Sequence, residues 1–535
     1  MKQNPLTILR DKKADVMRLL LGLVFIALVF LPLITMFTYV DGNSLKKVFS
    51  APNFATAVAN SLVSTAISTV ITLVLAYALA TCVERTNIRF KSNFGILFVL
   101  PMLIPSISSG MGLVILFGNN GLLTNLFGLK GSIYGLTGIV TGSVLYAFPV
   151  AYLMLADVMK YEDRSAYEAA QVLGLSKFRQ FTAITFPYLR KPLISVIFST
   201  FTLIVTDYGV PLMVGGKYQT LPVLMYQEVI GLLDFGKGAV YGCLLLIPAV
   251  AAFIIDLLNK DRAGSAFVSK PLEPENGTGW KIVSYFLCGA VSLFVLLPIV
   301  SFVLLAFSAR YPTDLTFTMA NVAKALRLKA DSYLVNSLII AFITALLGSA
   351  ISFMTAYMTA RMRSRTSRFL HLSAITSAAI PGVVLGLSYV LAFKGSAIYG
   401  TLAILVMANL VHFIASPYLM MYNSLSKLNE NLEDVGHTMD ISRGRMIKDV
   451  FIPQCKGTLM EMFSYFFVNC MMTISAVSFL ATTDNRPVSL MINQFEAQLQ
   501  LECAAVVSLA ILGVNLIIKG TVHICKSARK RRAAK

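Results

Sequence analysis

The sequence predicts an all-α polytopic membrane protein with about twelve transmembrane helices in two parallel six-helix halves. Three observations lead to this fold class. Of the 535 residues, 56% are hydrophobic and only 13% are charged, against about 25% charged in an ordinary soluble domain. Apolar runs of about 20 residues, the length that crosses the hydrocarbon core of a bilayer, recur from end to end. Short sequence patterns also repeat between the two halves of the chain.

The apolar segments are continuous rather than alternating in polarity, which favours helices over the strands of a barrel. With a mean hydropathy of +0.74, the composition excludes a water-soluble enzyme, a disordered chain and a secreted disulfide scaffold. The predicted spans are 19–40, 60–83, 94–117, 133–159, 189–214, 239–258, 282–307, 334–360, 369–393, 397–424, 458–481 and 504–524.

The basic residues predict the orientation of these spans. The formal net charge is +19, and most of the 45 Lys and Arg residues lie at the two termini and in the even-numbered connections. This asymmetry places both termini in the cytoplasm. The C-terminal run 526–535 is then expected to face solvent or lipid headgroups. We expect membrane lipid as a partner and no nucleic acid.

The two halves carry related patterns. Asn-Ser-Leu occurs at 60–62 and 336–338, and Pro105 is matched by Pro381, 276 positions later. Leu-Pro-Val at 221–223 is echoed by Arg-Pro-Val at 486–488. Six spans return the chain to the same side, so the halves are parallel, with a path expected at their interface as in transporters. The predicted divisions are 1–265, a cytoplasmic linker at 266–280, and 281–535.

A longer connection, 160–188, follows the fourth predicted span. We predict a short helix, a stop at Gly174, a new helix capped by Ser176 and a break at Pro187 before the next span. The fixed elements of this loop are Glu168, Ala169, Ala170, Gly174, Ile184, Phe186 and Pro187.

These elements resemble the EAA loop of binding-protein-dependent ABC importer permeases, with Phe186 in place of the usual Leu. The resemblance implies a type I ABC importer transmembrane domain in which both halves are fused. It also implies an extracytoplasmic solute-binding protein and two copies of a cytoplasmic ABC ATPase, which use ATP and Mg²⁺. In such a loop, Glu168 meets a donor group on the ATPase, Ala169 and Ala170 allow close approach, and Gly174 permits the turn. The alternative is a surface helix in which Glu-Ala-Ala only reflects helix propensity.

The corresponding loop of the second half, 427–454, departs from this pattern. Counting back from Pro453 puts Asp434 at the position of Glu168, Gly436 at that of Ala170 and Asp440 at that of Gly174. Asp tolerates left-handed backbone better than most residues, so we predict that the turn still forms. We expect both loops to dock on ATPases, the first more strongly.

The chain carries no visible site for chemistry of its own. The segment 215–218, Gly-Gly-Lys-Tyr, is the nearest approach to a phosphate-binding loop and lacks its Ser or Thr. We therefore expect a transport subunit that is not an enzyme, binds no cofactor or metal, and relies on a separate ATPase. Asp207 and Tyr208, in the fifth predicted span, are candidates for the translocation path, because charges within spans are functional by default. The alternative for Asp207 is a local cap.

The Asp-Tyr-Gly-Val-Pro segment at 207–211 also resembles permeases of the ferric iron and 2-aminoethylphosphonate importer group. This resemblance implies a multi-pass protein of the prokaryotic inner membrane that imports one of these solutes. Two alternatives remain. One is a thiamine or polyamine importer permease. The other is an ion-coupled secondary transporter, which would carry more intramembrane acids.

Overall fold

A computed structural model describes residues 12–128, 131–260, 272, 274, 277–311, 313–362 and 364–533. The predicted linker at 266–280 therefore lies largely outside the described residues. The chain forms two compact units. We call Gly42–Ala330 with Met491–Leu512 the N-half unit, and Met1–Asp41, Asp331–Leu490 and Gly513–Lys535 the C-half unit.

The N-half unit is built from helices, with one short hairpin in which Ser308 pairs with Phe317. Its α-helices are Gly42–Phe49, Phe54–Glu84, Lys91–Val99, Ser106–Phe117, Leu122–Phe127, Leu136–Met159, Arg164–Val172, Lys177–Gln180, Phe186–Val205, Gly209–Val214, Leu221–Tyr226, Phe235–Lys260, Thr278–Phe307, Ala320–Arg327 and Met491–Ala497. Its strands are Ser308–Arg310 and Asp314–Phe317, its π-helices are Phe181–Thr185 and Gln227–Gly231, and Leu100–Leu103 is a 3-10 helix.

In the described residues of the C-half unit, all regular secondary structure is helical. Its α-helices are Lys12–Phe25, Leu31–Thr38, Ala330–Ala360, Arg365–Thr376, Gly382–Phe393, Leu402–Phe413, Ala415–Ser426, Leu432–Thr438, Arg443–Met446, Ile452–Gln454 and Lys456–Met472. Ile26–Phe30 and Ile447–Phe451 are π-helices, and Ser377–Ala379 and Val488–Leu490 are 3-10 helices. The last helix, Leu501–Ala533, begins in the N-half unit and ends in the C-half unit.

The all-α membrane fold is confirmed. Within the described residues, nine helices are long and apolar enough to cross a membrane, and two helix pairs, bent by 110° and 54°, bring the number to eleven. The predicted span 458–481 is the exception. Its helix ends at Met472 after 17 residues because Thr473 is extended, with ψ 136°.

The first apolar helix of each half belongs to the compact unit of the other half. Residues 12–38 lie in the C-half unit, and Thr278–Phe307 lies in the N-half unit. In the C-half unit, the Tyr389 hydroxyl donates to the Leu28 carbonyl at 2.8 Å. In the N-half unit, the backbone amide of Arg89 donates to the Tyr285 hydroxyl at 2.7 Å. The compact units therefore differ from a simple division of the chain into 1–265 and 281–535.

Each unit buries a core and leaves apolar side chains exposed on its long helices. In the span windows, 28% to 61% of the residues are buried. Exposed apolar side chains such as Val74 and Ile247 are typical of helix faces that contact lipid. The core of the N-half unit includes Ala76, Leu79, Phe98, Phe148, Tyr152, Leu155, Leu189, Cys288 and Val295.

The repeat predicted from the sequence is present as equivalent hydrogen bonds. The Leu221 amide donates to the Ser61 hydroxyl, and the Val488 amide donates to the Ser337 hydroxyl, both at 2.8 Å. Leu221 therefore corresponds to Val488, whereas the Leu-Pro-Val and Arg-Pro-Val triplets pair it with Arg486. The triplet alignment is wrong by two residues. Equivalent positions are those that donate to the equivalent serine hydroxyls, and the prolines of the two triplets are not at equivalent positions.

Candidate coupling loops and path residues

The first loop, 160–188, is a short helix, a left-handed turn and a second helix. Asp163 caps the helix Arg164–Val172 by accepting from the Ser165 amide at 2.9 Å. At the other end, Gly174 has φ 68°, and the Leu175 amide donates to the Ala170 carbonyl at 3.0 Å. This six-to-one bond is the Schellman ending of a helix. The predicted stop at Gly174 and the Ser176 cap are both confirmed.

The second loop, 427–454, has the same ending. Asp440 has φ 54°, and the Ile441 amide donates to the Gly436 carbonyl at 2.8 Å. These residues follow Gly174, Leu175 and Ala170 by 266 positions, the interval between Pro187 and Pro453. The predicted left-handed turn at Asp440 is confirmed. Asp replaces Gly without loss of the turn because a short polar side chain tolerates this backbone.

The predicted break at Pro187 is wrong. The helix runs from Lys177 to Val205 as a single apolar span through the π-helix Phe181–Thr185, where the Phe186 amide donates to the Phe181 carbonyl. A proline ring clashes with the carbonyl four residues earlier in an α-helix, and the wider π-turn relieves that clash. The π-helix Ile447–Phe451 stands in the same place before Pro453.

The first loop exposes apolar side chains that are not part of the Glu-Ala-Ala motif. Glu168 is partly exposed and pairs within its own helix with Arg164 at 2.8 Å, a surface contact of small energy. Ala170 is buried and Ala169 exposed, so only one of the two alanines is open to a partner. The sequence motif did not point to three strongly exposed apolar residues, which are Val172, Leu173 and Phe178. Their position beside the left-handed turn was the available signal.

The second loop presents a smaller apolar face. Asp434 is exposed, as expected for the counterpart of Glu168. Gly436 is buried against Met446, whose Sδ atom would lie 2.9 Å from an added Cβ. Among its described residues, the exposed large apolar side chains are Val435, Met439 and Ile452, which are 53%, 66% and 40% exposed.

An arginine follows the long helix of each unit and contacts the loop. Arg85 follows Phe54–Glu84, and its Nη2 lies 2.6 Å from Oε2 of Glu162, a side chain only 2% exposed. Burial by itself lowers the pKa of Arg85, but the Glu162 carboxylate, together with Tyr167 and Tyr77, outweighs burial, so the pKa of the guanidinium is raised. Burial, with a hydrogen bond to Glu162, raises the pKa of Tyr167 to about 12. The arginine is therefore charged and the tyrosine neutral at physiological pH.

Arg361 follows Ala330–Ala360 in the other unit. It forms a two-pronged pair with Glu433, with Nε–Oε1 at 2.8 Å and Nη2–Oε2 at 2.5 Å. It also donates to the carbonyls of Leu428 at 2.9 Å and Asn429 at 2.6 Å. The hydrogen bond to Glu433 raises the pKa of Arg361.

Asp207 lies between the helices Phe186–Val205 and Gly209–Val214. Its carboxylate accepts from the Ser106 hydroxyl at 2.6 Å and from the amides of Gly209 at 3.3 Å and Val210 at 2.9 Å. These bonds make Asp207 a cap for the short helix, the alternative recognised from the sequence. Tyr208 is buried and stacks on Tyr226, with ring centroids 4.9 Å apart.

Asp207 also lines a small polar cavity in the N-half unit. The cavity has a volume of about 10 Å³, at the lower limit for one water molecule. It is lined by Ser61, Ser64, Thr65, Ile139, Ser143, Ile204, Val205, Asp207, Pro211, Thr220 and Pro222. The structure thus brings Asp207 together with hydroxyl groups of two helices and of Thr220, in a space too small for a solute.

Two repeated helical segments, each with a helix–turn–helix loop, define a multi-pass membrane protein of the all-α class. The family model for the binding-protein-dependent transport system inner membrane component matches residues 73–262 and 348–527. These segments make up more than half of the chain and include both loops. The chain belongs to this family.

Similar curated proteins include transport permeases for two kinds of solute. The putative ferric transport system permease protein FbpB 1 of Haemophilus influenzae is 26% identical over 407 residues, which cover 72% of this chain and 64% of that protein. The Fe(3+)-transport system permease protein FbpB 2 of the same organism is 22% identical over 90% of this chain and 93% of its own length. The thiamine transport system permease protein ThiP of Brucella abortus is 29% identical over 25% of this chain and 26% of its own.

Proposed function

We propose that this protein is the permease subunit of an ATP-driven ABC importer. It moves a small solute, delivered by an extracytoplasmic solute-binding protein, into the cytoplasm, where both of its termini lie. Two copies of a cytoplasmic ABC ATPase use ATP and Mg²⁺, and this chain binds no cofactor of its own. The observation that carries the proposal is the pair of loops with matching turns at Gly174 and Asp440, one in each family segment.

The loops transmit movement without chemistry. Each ATPase receives a short helix in a surface groove, and closure of the two ATPases moves the attached transmembrane helices as rigid bodies. In the first loop, the docking element consists of Glu168, Ala169, Ala170, Gly174 and Pro187, with Ala170 on the buried side of its helix. In the second, it consists of Asp434, Gly436, Asp440 and Pro453. The larger apolar surface beside Gly174 supports stronger docking of the first loop.

Ferric iron is the solute that we propose, with 2-aminoethylphosphonate as the other candidate. Similarity to two ferric transport permeases supports iron as the solute. Asp207 and Tyr208 are proposed for the translocation path, because a carboxylate within a membrane span is a functional candidate. The specificity itself resides in the binding protein.

Co-purification with the cognate ATPase tests the coupling loops. Wild-type protein is expected to retain two ATPases, whereas Glu168→Lys and Gly174→Pro lose at least one. Asp331→Lys is the matched control, because Asp331 is an exposed acid at the opposite end of the helix that precedes Arg361. ATPase binding that never occurs, or that ignores both loop changes, contradicts the proposal.

Uptake by proteoliposomes that contain the permease, the ATPase and the binding protein tests the solute. Ferric iron uptake that requires internal ATP is expected, and uptake of labelled 2-aminoethylphosphonate in its place assigns the other candidate. Thiamine is a further alternative because of the similarity to ThiP, and a polyamine is added to the same comparison. Uptake driven by an ion gradient without the ATPase identifies a secondary transporter.

A further inference from the structure

The two arginines that follow the long helices occupy the same place in the repeat. Arg85 and Arg361 are 276 residues apart, the same interval as between Pro105 and Pro381. Each guanidinium reaches the first turn of the loop helix in its own unit. Each also lies over an aromatic ring of the loop, Arg85 at 5.8 Å from the Tyr167 centroid and Arg361 at 5.5 Å from that of Phe451.

In the first loop, Arg85 contacts the loop helices partly through the hydroxyl of Tyr167. Arg85 pairs with buried Glu162 and donates to the Tyr167 hydroxyl at 3.3 Å. That hydroxyl also bonds Glu162 and lies 2.7 Å from the Thr185 hydroxyl in the π-helix. One guanidinium therefore links the end of Phe54–Glu84 to both helices of the loop.

In the second loop, the contact is direct. Glu433 follows Tyr167 by 266 positions, the interval that superposes the two loops, so the acid stands where the tyrosine stands in the first. Arg361 donates two hydrogen bonds to the Glu433 carboxylate. It also donates to the Leu428 and Asn429 carbonyls, in the segment that precedes the loop helix. Different side chains thus produce the same attachment twice.

A buried ion pair is a poor general stabiliser, because desolvation offsets much of its attraction. What such a pair provides is a defined geometry. A planar guanidinium with two hydrogen bonds to one carboxylate fixes the distance and the relative orientation of the two side chains. A loop helix that must move together with a transmembrane helix needs this fixed geometry.

We propose that Arg85 and Arg361 are positioning residues that fix each loop helix to the end of the long transmembrane helix in its own unit, Phe54–Glu84 or Ala330–Ala360. This inference rests on the proposed importer function. ATPase closure then pulls the long helix directly, and a loop released from its arginine moves without it. The expected defect is uncoupling, in which ATP is hydrolysed and little solute is moved.

The test compares Arg361→Gln, Arg361→Lys and Glu433→Gln in the complete complex. We measure ATPase retained, ATP hydrolysed and solute taken up. Both Gln variants are expected to retain two ATPases and to lose uptake per ATP by about fivefold or more. Arg361→Lys keeps a charged contact with Glu433 but not the two-pronged geometry, so it should fall between Arg361→Gln and wild type.

Arg445→Gln is the matched control. It removes an arginine of the same loop whose pair with Asp449 is exposed, with side chains 77% and 54% exposed, and it should leave the uptake ratio unchanged. If Arg361→Gln fails to fold, Glu433→Gln decides, because Glu433 is partly exposed.

Three results overturn the inference. A wild-type uptake ratio in Glu433→Gln shows that the contact does not transmit movement. Loss of ATPase binding in that variant shows a role only in folding of the loop. A wild-type permease that never binds the ATPase removes the proposed importer function as well, and so separates the two failures.

Discussion

Gly174 and Asp440 hold the same left-handed backbone conformation, with φ of 68° and 54°, at corresponding positions of two loops. In both, the next amide donates to the carbonyl five residues earlier, at 3.0 Å from Leu175 and 2.8 Å from Ile441. The turn is therefore retained although the residue at its centre differs. What the second loop has lost is apolar surface, since Met439 stands where Leu173 does but Gly444 replaces Phe178.

The left-handed turn predicts an order of tolerance at Gly174. Gly174→Ala should weaken the turn by about 1 kcal/mol, because a Cβ disfavours this backbone, while an added Cβ meets no other atom within 4 Å. Hydrogen exchange at the Leu175 amide should accelerate about fivefold. Gly174→Asp should be milder than Ala, as Asp440 indicates. An equal effect of Asp and Ala contradicts this account.

The exposed apolar residues predict unequal docking of the loops. Leu173→Ser should weaken ATPase binding by about tenfold, because central apolar contacts carry most interface energy. Met439→Ser should weaken it less. Titration of labelled ATPase measures both affinities. Leu499→Ser is the control, since Leu499 is 88% exposed but lies outside both loops. A larger loss from Met439→Ser reverses the proposed ranking.

The bonds of Asp207 predict how its two roles separate. Ser106→Ala removes one hydrogen bond to the carboxylate and should lower the free energy of unfolding by about 1–2 kcal/mol, with uptake largely kept. Asp207→Asn retains the size of the side chain but loses its charge, and a path residue should then lose uptake. Thermal unfolding and uptake are measured on both variants. If uptake follows stability alone, Asp207 is only a cap.

Close packing in the N-half unit predicts a costly alanine at Gly112. An added Cβ would lie 2.5 Å from Cβ of Pro298, a rigid ring that cannot rotate away, so Gly112→Ala should destabilise by about 1–3 kcal/mol. Gly289→Ala is the matched control on the same helix as Pro298. It meets nothing within 4 Å and should be neutral or stabilising. Melting temperatures in detergent compare them, and equal values contradict the packing.

Much of the fold and part of the candidate site could be predicted from local sequence. The spans follow from the length of continuous apolar runs, and the first loop from the spacing of Glu168, Gly174 and Pro187. The break predicted at Pro187 was wrong because the π-helix that precedes it is not visible in propensities. The exposed patch at Leu173 and Phe178 was missed because its exposure depends on the turn.

The sequence by itself determined the membrane class, the repeat and both loops, since hydropathy, residue spacing and left-handed tolerance are properties of neighbouring residues. Only the tertiary structure decided which compact unit contains the first helix of each half, and which residues donate to Ser61 and Ser337 and so correspond in the repeat. It also decided that Arg85 reaches Glu162 and that Arg361 reaches Glu433, across 77 and 72 residues. Charged partners this far apart are chosen by how helix ends pack, and no local pattern records that choice.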